Sequence, residues 1–251
     1  MDDQSIALQL YTVRDETARD FAGTLRRVAA MGYRAVEFAG YGDMPAPELR
    51  DLLAEIGLRA ASSHVGYARL DQQLDDEIAY CKTIGCASIA LPWLAPEQRT
   101  PEFIDFLAGA LTSWGPRCRD QGIALSYHNH DFEFAKVEAH GTTTLLDRLL
   151  GATDPEVVGL EFDIYWAVFA GADPFEVLRK ASGRVSLIHA KDMTPDRRFT
   201  EVGGGTLDWS ALVPAARAAG ARWFIVENDQ PELPSLESAQ RSLAYLRSLD
   251  A

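Results

Sequence analysis

An α/β chain folded as a single-domain (β/α)8 barrel is what this sequence predicts, on three observations. Short, nearly continuous apolar runs alternate eight times with longer amphipathic runs, as in a parallel sheet covered on both faces. No Pro/Gly/Ser-rich linker and no block of charge divides residues 1–251. No G-x-G-x-x-G turn follows the first apolar run, which argues against an open, doubly wound sheet.

The elements follow in order. The first strand covers residues 6–10, with a polar turn over 13–16 and an amphipathic helix over 21–31. Residues 35–38 and 47–56 repeat the pair, and Gly57 is placed as a C-terminal stop. The third strand, 58–62, leads to His64, and the helix 71–84 ends at Gly85. Residues 87–91 form the fourth strand, and the helix 102–121 returns the chain to Gly122. The fifth strand begins at Ile123 and runs into Tyr127-His-Asn-His-Asp-Phe-Glu-Phe134. The last three strands are 157–163, 185–189 and 223–227, with helices at 144–150, 174–180, 208–219 and 235–249. On those helices Leu25, Val28 and Met31, and again Leu236, Leu243 and Leu246, mark the faces packed on the barrel.

With 47% hydrophobic residues in 251, the chain can bury a core of this size. A net charge of −13 argues against nucleic acid or an anionic membrane as the main partner. Cys81, Cys86 and Cys118 form no C-x-x-C pair and read as small buried side chains, which fits a reducing, cytoplasmic setting. The acidic opening residues 1–5 lack a secretory pattern, and no run of 18 apolar residues occurs.

In such barrels the C-terminal ends of the strands share one mouth, where chemistry collects. Of the five histidines, His64, His128, His130 and His189 fall at predicted strand ends, with Glu37, Asp163 and Glu227. Side chains alternate along a strand, so His128 and His130 share a side while Asn129 points away. Imidazoles and carboxylates together suit Mn²⁺, Co²⁺, Zn²⁺ or Fe²⁺ better than Ca²⁺. Plainer readings stand beside these. Asp163 also reads as the cap of a helix starting at Ile164, Glu227 as a loop carboxylate, and Glu37 as half of a buried ion pair with Lys191 or Arg14. Trp93, Phe132, Tyr165 and Trp166 read equally as sugar-stacking faces and as loop packing. Gly203-Gly-Gly205 reads as a mobile loop before it reads as a phosphate cradle, and His140 as a surface loop residue.

Gln9-Leu-Tyr-Thr-Val-Arg14, residues 127–134, Asp163-Ile-Tyr-Trp166, His189-Ala-Lys-Asp-Met193, Glu201-Val-Gly-Gly-Gly205 and Val226-Glu227 together resemble the sugar phosphate isomerase/epimerase family of xylose isomerase-like TIM barrels. The resemblance runs from the first strand to the last helix. It implies one divalent ion, often Mn²⁺ with Co²⁺, Mg²⁺, Zn²⁺ or Fe²⁺ as alternatives, held by Asp163, His189, Glu227 and a residue after strand five. Many members carry a glutamate there, where this chain has His128-Asn129; the expectation leans to Glu133 as the fourth ligand, with His128 as the alternative.

The resemblance further implies a sugar substrate and proton abstraction beside its carbonyl through a metal-stabilised enediolate. Glu227 or His130 is the expected base, Lys191 the expected donor to the oxyanion, and His64, His128, Glu37 and Trp166 the expected substrate contacts. Isomerisation or epimerisation is the first expectation. Loss of a β-hydroxyl or a glycosidic group, as in inosose dehydratases and 3-keto-glycoside lyases, is the alternative, and a non-catalytic sugar-binding barrel a remoter one. Barrels of this kind often pair through their mouth loops, so a homodimer is a further expectation.

Overall fold

Eight parallel strands close on themselves in a computed structural model that describes residues 5–137 and 142–249. In chain order they are β1 (Ile6–Gln9), β2 (Ala35–Phe38), β3 (Arg59–His64), β4 (Ser88–Leu91), β5 (Ala124–His128), β6 (Val158–Asp163), β7 (Val185–Ala190) and β8 (Trp223–Val226). Each pairs with its sequence neighbours, and β8 returns to β1 through Ile6↔Phe224, Ala7↔Ile225 and Leu8↔Val226. A two-strand ribbon, Asp192–Met193 with Phe199–Thr200, stands beyond the end of β7. His140 lies outside the described residues.

The period of two along each strand sorts the residues into two cores. Ala7, Ala35, Ala61, Leu187 and Ile225 form a small inner cluster with Trp223 against it. Ile6, Leu8, Val36, Phe38, Leu160, Phe162, Ile188, Phe224 and Val226 face the helices in the large outer cluster. The inner residues one step further along the same strands are Gln9, Glu37, His189 and Glu227, all buried. Apolar residues thus fill the lower barrel and polar or ionisable ones its upper layer. Phe224 is fully buried in the outer core, and Phe224→Ala is expected to cost about 3–5 kcal/mol in denaturant unfolding.

The helices keep their expected places with shifted ends. The helix expected over 71–84 starts earlier, Tyr67–Ile84, with a kink at Gln73. The polar turn over 13–16 is itself helical, a 3-10 turn Leu10–Val13 running into Arg14–Thr17. Gly57 and Gly85 take left-handed conformations at helix ends, which only glycine adopts without strain. Cys81, Cys86 and Cys118 are buried and free. Among the described residues no helix is long and apolar enough to cross a membrane.

Candidate metal and catalytic site

Strands β5 to β8 deliver the chemistry in register. His128 lies opposite Glu161 across β5 and β6, and Asp163 opposite His189 across β6 and β7. Asn129, turned away from both imidazoles, extends the β5–β6 pairing with its side chain. Its Oδ1 accepts from the Asp163 N–H at 3.0 Å and its Nδ2 donates to the Asp163 carbonyl at 3.2 Å.

Asp163 combines its two expected uses. One oxygen caps the helix Ile164–Phe169, accepting from the Trp166 N–H at 2.9 Å. The other, Oδ2, is buried and meets the Lys191 ammonium at 3.0 Å. Asp163, His189 and Glu227 converge so that one donor atom from each lies within 4.8 Å of the others. Nδ1 of His189 is 2.8 Å from Glu227 Oε2 and 4.0 Å from Asp163 Oδ2, and His128 Nε2 stands 3.8 Å from that same Asp163 oxygen. Buried carboxylate oxygens among imidazole nitrogens form a donor set that fits a divalent ion of the Mn²⁺, Zn²⁺, Fe²⁺ or Co²⁺ type.

Lys191 is the cation of this group. Its Nζ lies 2.7 Å from Glu227, 3.0 Å from Asp163 and 3.1 Å from Asp229. Burial opposes the charge, but these carboxylates outweigh it and hold the ammonium well above the usual lysine range. For Glu227 burial works upward, and Lys191 and His189 overcome it and hold the carboxyl low. Burial pushes Asp163 up, and it pushes Asp229 up to about 6.

A second layer lies beneath. Glu37 Oε2 accepts from Gln9 Nε2 at 2.7 Å and is 2.7 Å from His189 Nε2 and 3.2 Å from His64 Nε2. Glu161 Oε2 is 2.7 Å from His64 Nε2, 3.2 Å from His128 Nδ1 and 3.5 Å from His189 Nε2. Against burial, Glu37 and Glu161 push His64 up to about 10, while burial and neighbouring imidazoles hold His128 well below the usual histidine range.

Above this layer opens a cavity of about 590 Å³, with His64, His128, His130, Trp166, Lys191 and Glu227 in its wall. Burial lowers His130 to about 3, so its imidazole is neutral, and its Nδ1 has no hydrogen-bond partner. Trp93, 47% exposed, also faces the cavity, whereas Tyr165 packs on Phe199 and Phe169.

Several expectations are corrected. Glu133 does not join the metal group. Tyr127 points to the outer face of β5, and Glu133 follows it there, with Oε1 accepting from Tyr127 Oη at 2.6 Å and Oε2 from the His130 N–H at 2.8 Å. The strand-five side chain that stands beside Asp163 is His128, with Nε2 3.8 Å from Oδ2. Glu37 is no substrate contact, because it is fully buried under His189; its partners are His189, His64 and Gln9, not Lys191 or Arg14. His64 reaches the cavity wall with its ring, but its Nε2 is turned down onto Glu161. The 203–205 glycines hold no phosphate cradle. The Gly203 N–H donates to Asp192 Oδ2 at 2.8 Å, and at φ +86° a Cβ there would strike the Tyr245 ring.

Glu161 and Asp229 escaped sequence reasoning. Glu161 stands two residues before Asp163 in the same strand, and that shared parity is the signal that places it on the same side, whereas Asp229 lies past the end of β8, where alternation gives no signal.

Glu133→Gln is expected to leave metal stoichiometry unchanged and to alter the pH profile of stability. Burial raises Glu133 to about 8, against 4.5 for a free glutamate, so the folded state keeps a proton that the unfolded chain releases. Its contribution is full below pH 4.5 and is lost as pH rises towards 8. Thermal unfolding of native and variant protein at both ends of that range reads the difference, which shifts in the variant's favour at the alkaline end.

The sequence profile of the family described as the xylose isomerase-like TIM barrel matches residues 25–249. The chain is 28% identical over 248 aligned residues to an inosose dehydratase of Geobacillus kaustophilus, covering 82% of this chain and 79% of that one. Matches to inosose dehydratases of Geobacillus thermodenitrificans and Lacticaseibacillus casei span about half of those proteins' length. A sugar phosphate isomerase/epimerase of Parabacteroides distasonis superposes with a TM-score of 0.84 at 24% identity, covering 97% of this chain and 98% of that one. The IOLI protein with a binding zinc atom gives 0.77 at 16% identity, covering 98% and 97%. At these identities the two structures share the fold. The chain belongs to the xylose isomerase-like TIM barrel family.

Proposed function

We propose that the protein is a divalent-metal-dependent enzyme that removes the proton beside the keto group of a sugar or cyclitol and expels the β-hydroxyl as water. The observation that carries this reading is on strand five. Its glutamate, Glu133, is tied to Tyr127, and what it turns to the cavity is a pair of imidazoles, His128 and His130. Epimerisation by two glutamates on opposite faces of a substrate has, among the described residues lining the cavity, only Glu227 to draw on.

His128, Asp163, His189 and Glu227 would hold the ion. When bound, it supplies Lewis-acid polarisation of the carbonyl and its neighbouring hydroxyl. Glu227 is fixed by Lys191 and His189, which suits a ligand better than a base. His130 is neutral and in the cavity wall, and in this reading it takes the α-proton. The Cα–H electrons form the new double bond, the β C–O bond breaks, and the imidazolium returns its proton to the departing oxygen. Lys191 donates to the carbonyl oxygen as negative charge develops there.

The substrate is unphosphorylated in this reading. The cations in the cavity wall are all engaged: Arg14 donates to the carbonyls of Tyr11 and Asp229, Lys191 faces three carboxylates, and His64 turns Nε2 to Glu37 and Glu161.

Asp229 favours a second reading, isomerisation or epimerisation. It lines the same cavity, and a carboxyl raised to about 6 supplies a second proton carrier. Incubating metal-loaded protein with ketoses and keto-inositols in D₂O separates the outcomes. A product lighter by one water supports dehydration. A deuterated isomer of otherwise equal formula supports the second reading, and no exchange with any keto substrate contradicts both.

A further inference from the structure

We infer that Glu161 is a positioning residue for the metal site, supplying from beneath His128 the negative charge that strand five lacks at the metal. The inference rests on the ligand set proposed above. A glutamate ligand on strand five would carry its charge to the ion directly; an imidazole carries none. The register of the barrel compensates, because His128 pairs with Glu161 on β6. A shift of register between Leu160 and Glu161 accompanies the turn of this side chain into the barrel layer just below Asp163.

The contacts match that role. Glu161 Oε2 lies 3.2 Å from His128 Nδ1, the ring nitrogen opposite the one nearest Asp163 Oδ2. That Nδ1 is buried and has no other hydrogen-bond partner, so Glu161 is the group available to receive its proton and fix Nε2 as the bare donor. His189 is built the same way in mirror image. Its Nδ1 faces Asp163 and Glu227, while its Nε2 is backed by Glu37 at 2.7 Å and Glu161 at 3.5 Å.

His64 closes the layer from the other side, with Nε2 between the two glutamates at 2.7 and 3.2 Å. One oxygen of Glu37 and one of Glu161 remain buried without a hydrogen bond among the described residues, so each carboxylate turns its other oxygen, Oε2, to the imidazoles. Carboxylates behind ligating imidazoles orient the ring and raise its basicity, and their loss commonly weakens metal binding by about 10–100-fold.

The test is chelator competition for Co²⁺ with native protein, Glu161→Gln and Glu161→Asp, read with the Co²⁺ d–d spectrum. The expected result is one equivalent bound in all three. The dissociation constant rises by about 10–100-fold in Glu161→Gln, with an altered d–d spectrum, and part of the affinity returns in Glu161→Asp. Should Glu161→Gln not fold, Glu161→Asp decides alone, with an expected weakening of roughly 3–10-fold from the displaced carboxylate. A folded Glu161→Gln with native affinity and spectrum overturns this inference and leaves the proposed function standing; for Glu161→Asp alone, native affinity does the same. Two equivalents in the native chain, one of them lost in Glu161→Gln, also overturn it, by making Glu161 a ligand. A native chain that binds no Co²⁺ overturns both readings.

Discussion

His130→Asn is expected to lower turnover by about 10²–10⁴-fold, the usual effect of removing a positioned proton carrier, and to leave metal content at the native level. The dissociation of the two readouts is the point. His130 lines the cavity and packs near Trp166, with 5.5 Å between ring centroids, yet among the described residues it belongs neither to the converging donors Asp163, His189 and Glu227 nor to those of the layer beneath, His64, His128, Glu161 and His189. Asparagine retains polarity at the strand end and cannot carry the proton. Deuterium exchange at the substrate α-carbon checks the step itself: it disappears together with product formation. A variant that still exchanged at the native rate would move the base to Glu227, and Glu227→Gln would then abolish exchange under saturating metal.

Lys191→Met is the second large effect, and it falls on stability before activity. The side chain is fully buried among Asp163, Glu227 and Asp229, so methionine fills much of the volume but leaves three carboxylates facing one another. Removing one partner of a buried ion pair typically costs about 3–5 kcal/mol. That loss is expected in urea unfolding with chelator present. Added Mn²⁺ or Zn²⁺ is expected to restore more stability to the variant than to the native chain, since the ion supplies the missing positive charge. Equal stability of the two proteins in chelator would show that Lys191 does not compensate this group.

The parts of the site that follow from strand parity were legible in the sequence. His128 at the end of β5, Asp163 at the end of β6 and His189 in β7 sit on the inner face because side chains alternate, and alternation needs no knowledge of the partner strand. Glu161 shares that parity with Asp163, but an ionisable residue inside an otherwise apolar strand gains meaning only once His128 and His64 are placed beside it. Those neighbours depend on barrel register, including the shift at Leu160/Glu161.

Glu133 failed for a different reason. The alternation ends with the strand, and in the 3-10 turn Phe132–Phe134 the side chain follows Tyr127 to the outside of the barrel. The closed barrel itself was readable from eight repeats of one pattern. Element ends were not, as the helix from Tyr67 and the helical turn at 14–17 show; both are set by tertiary packing that the local pattern does not contain.

The most direct test of the account is metal analysis of the purified native chain and of His189→Ala, each dialysed and then reloaded with Mn²⁺ or Zn²⁺. His189 presents Nδ1 to Asp163 and Glu227, so its loss removes the donor between them. About one equivalent in the native chain and little in the variant is the predicted result. No bound metal in the native chain, or full occupancy in His189→Ala, would contradict the site from which the chemistry proposed here is built.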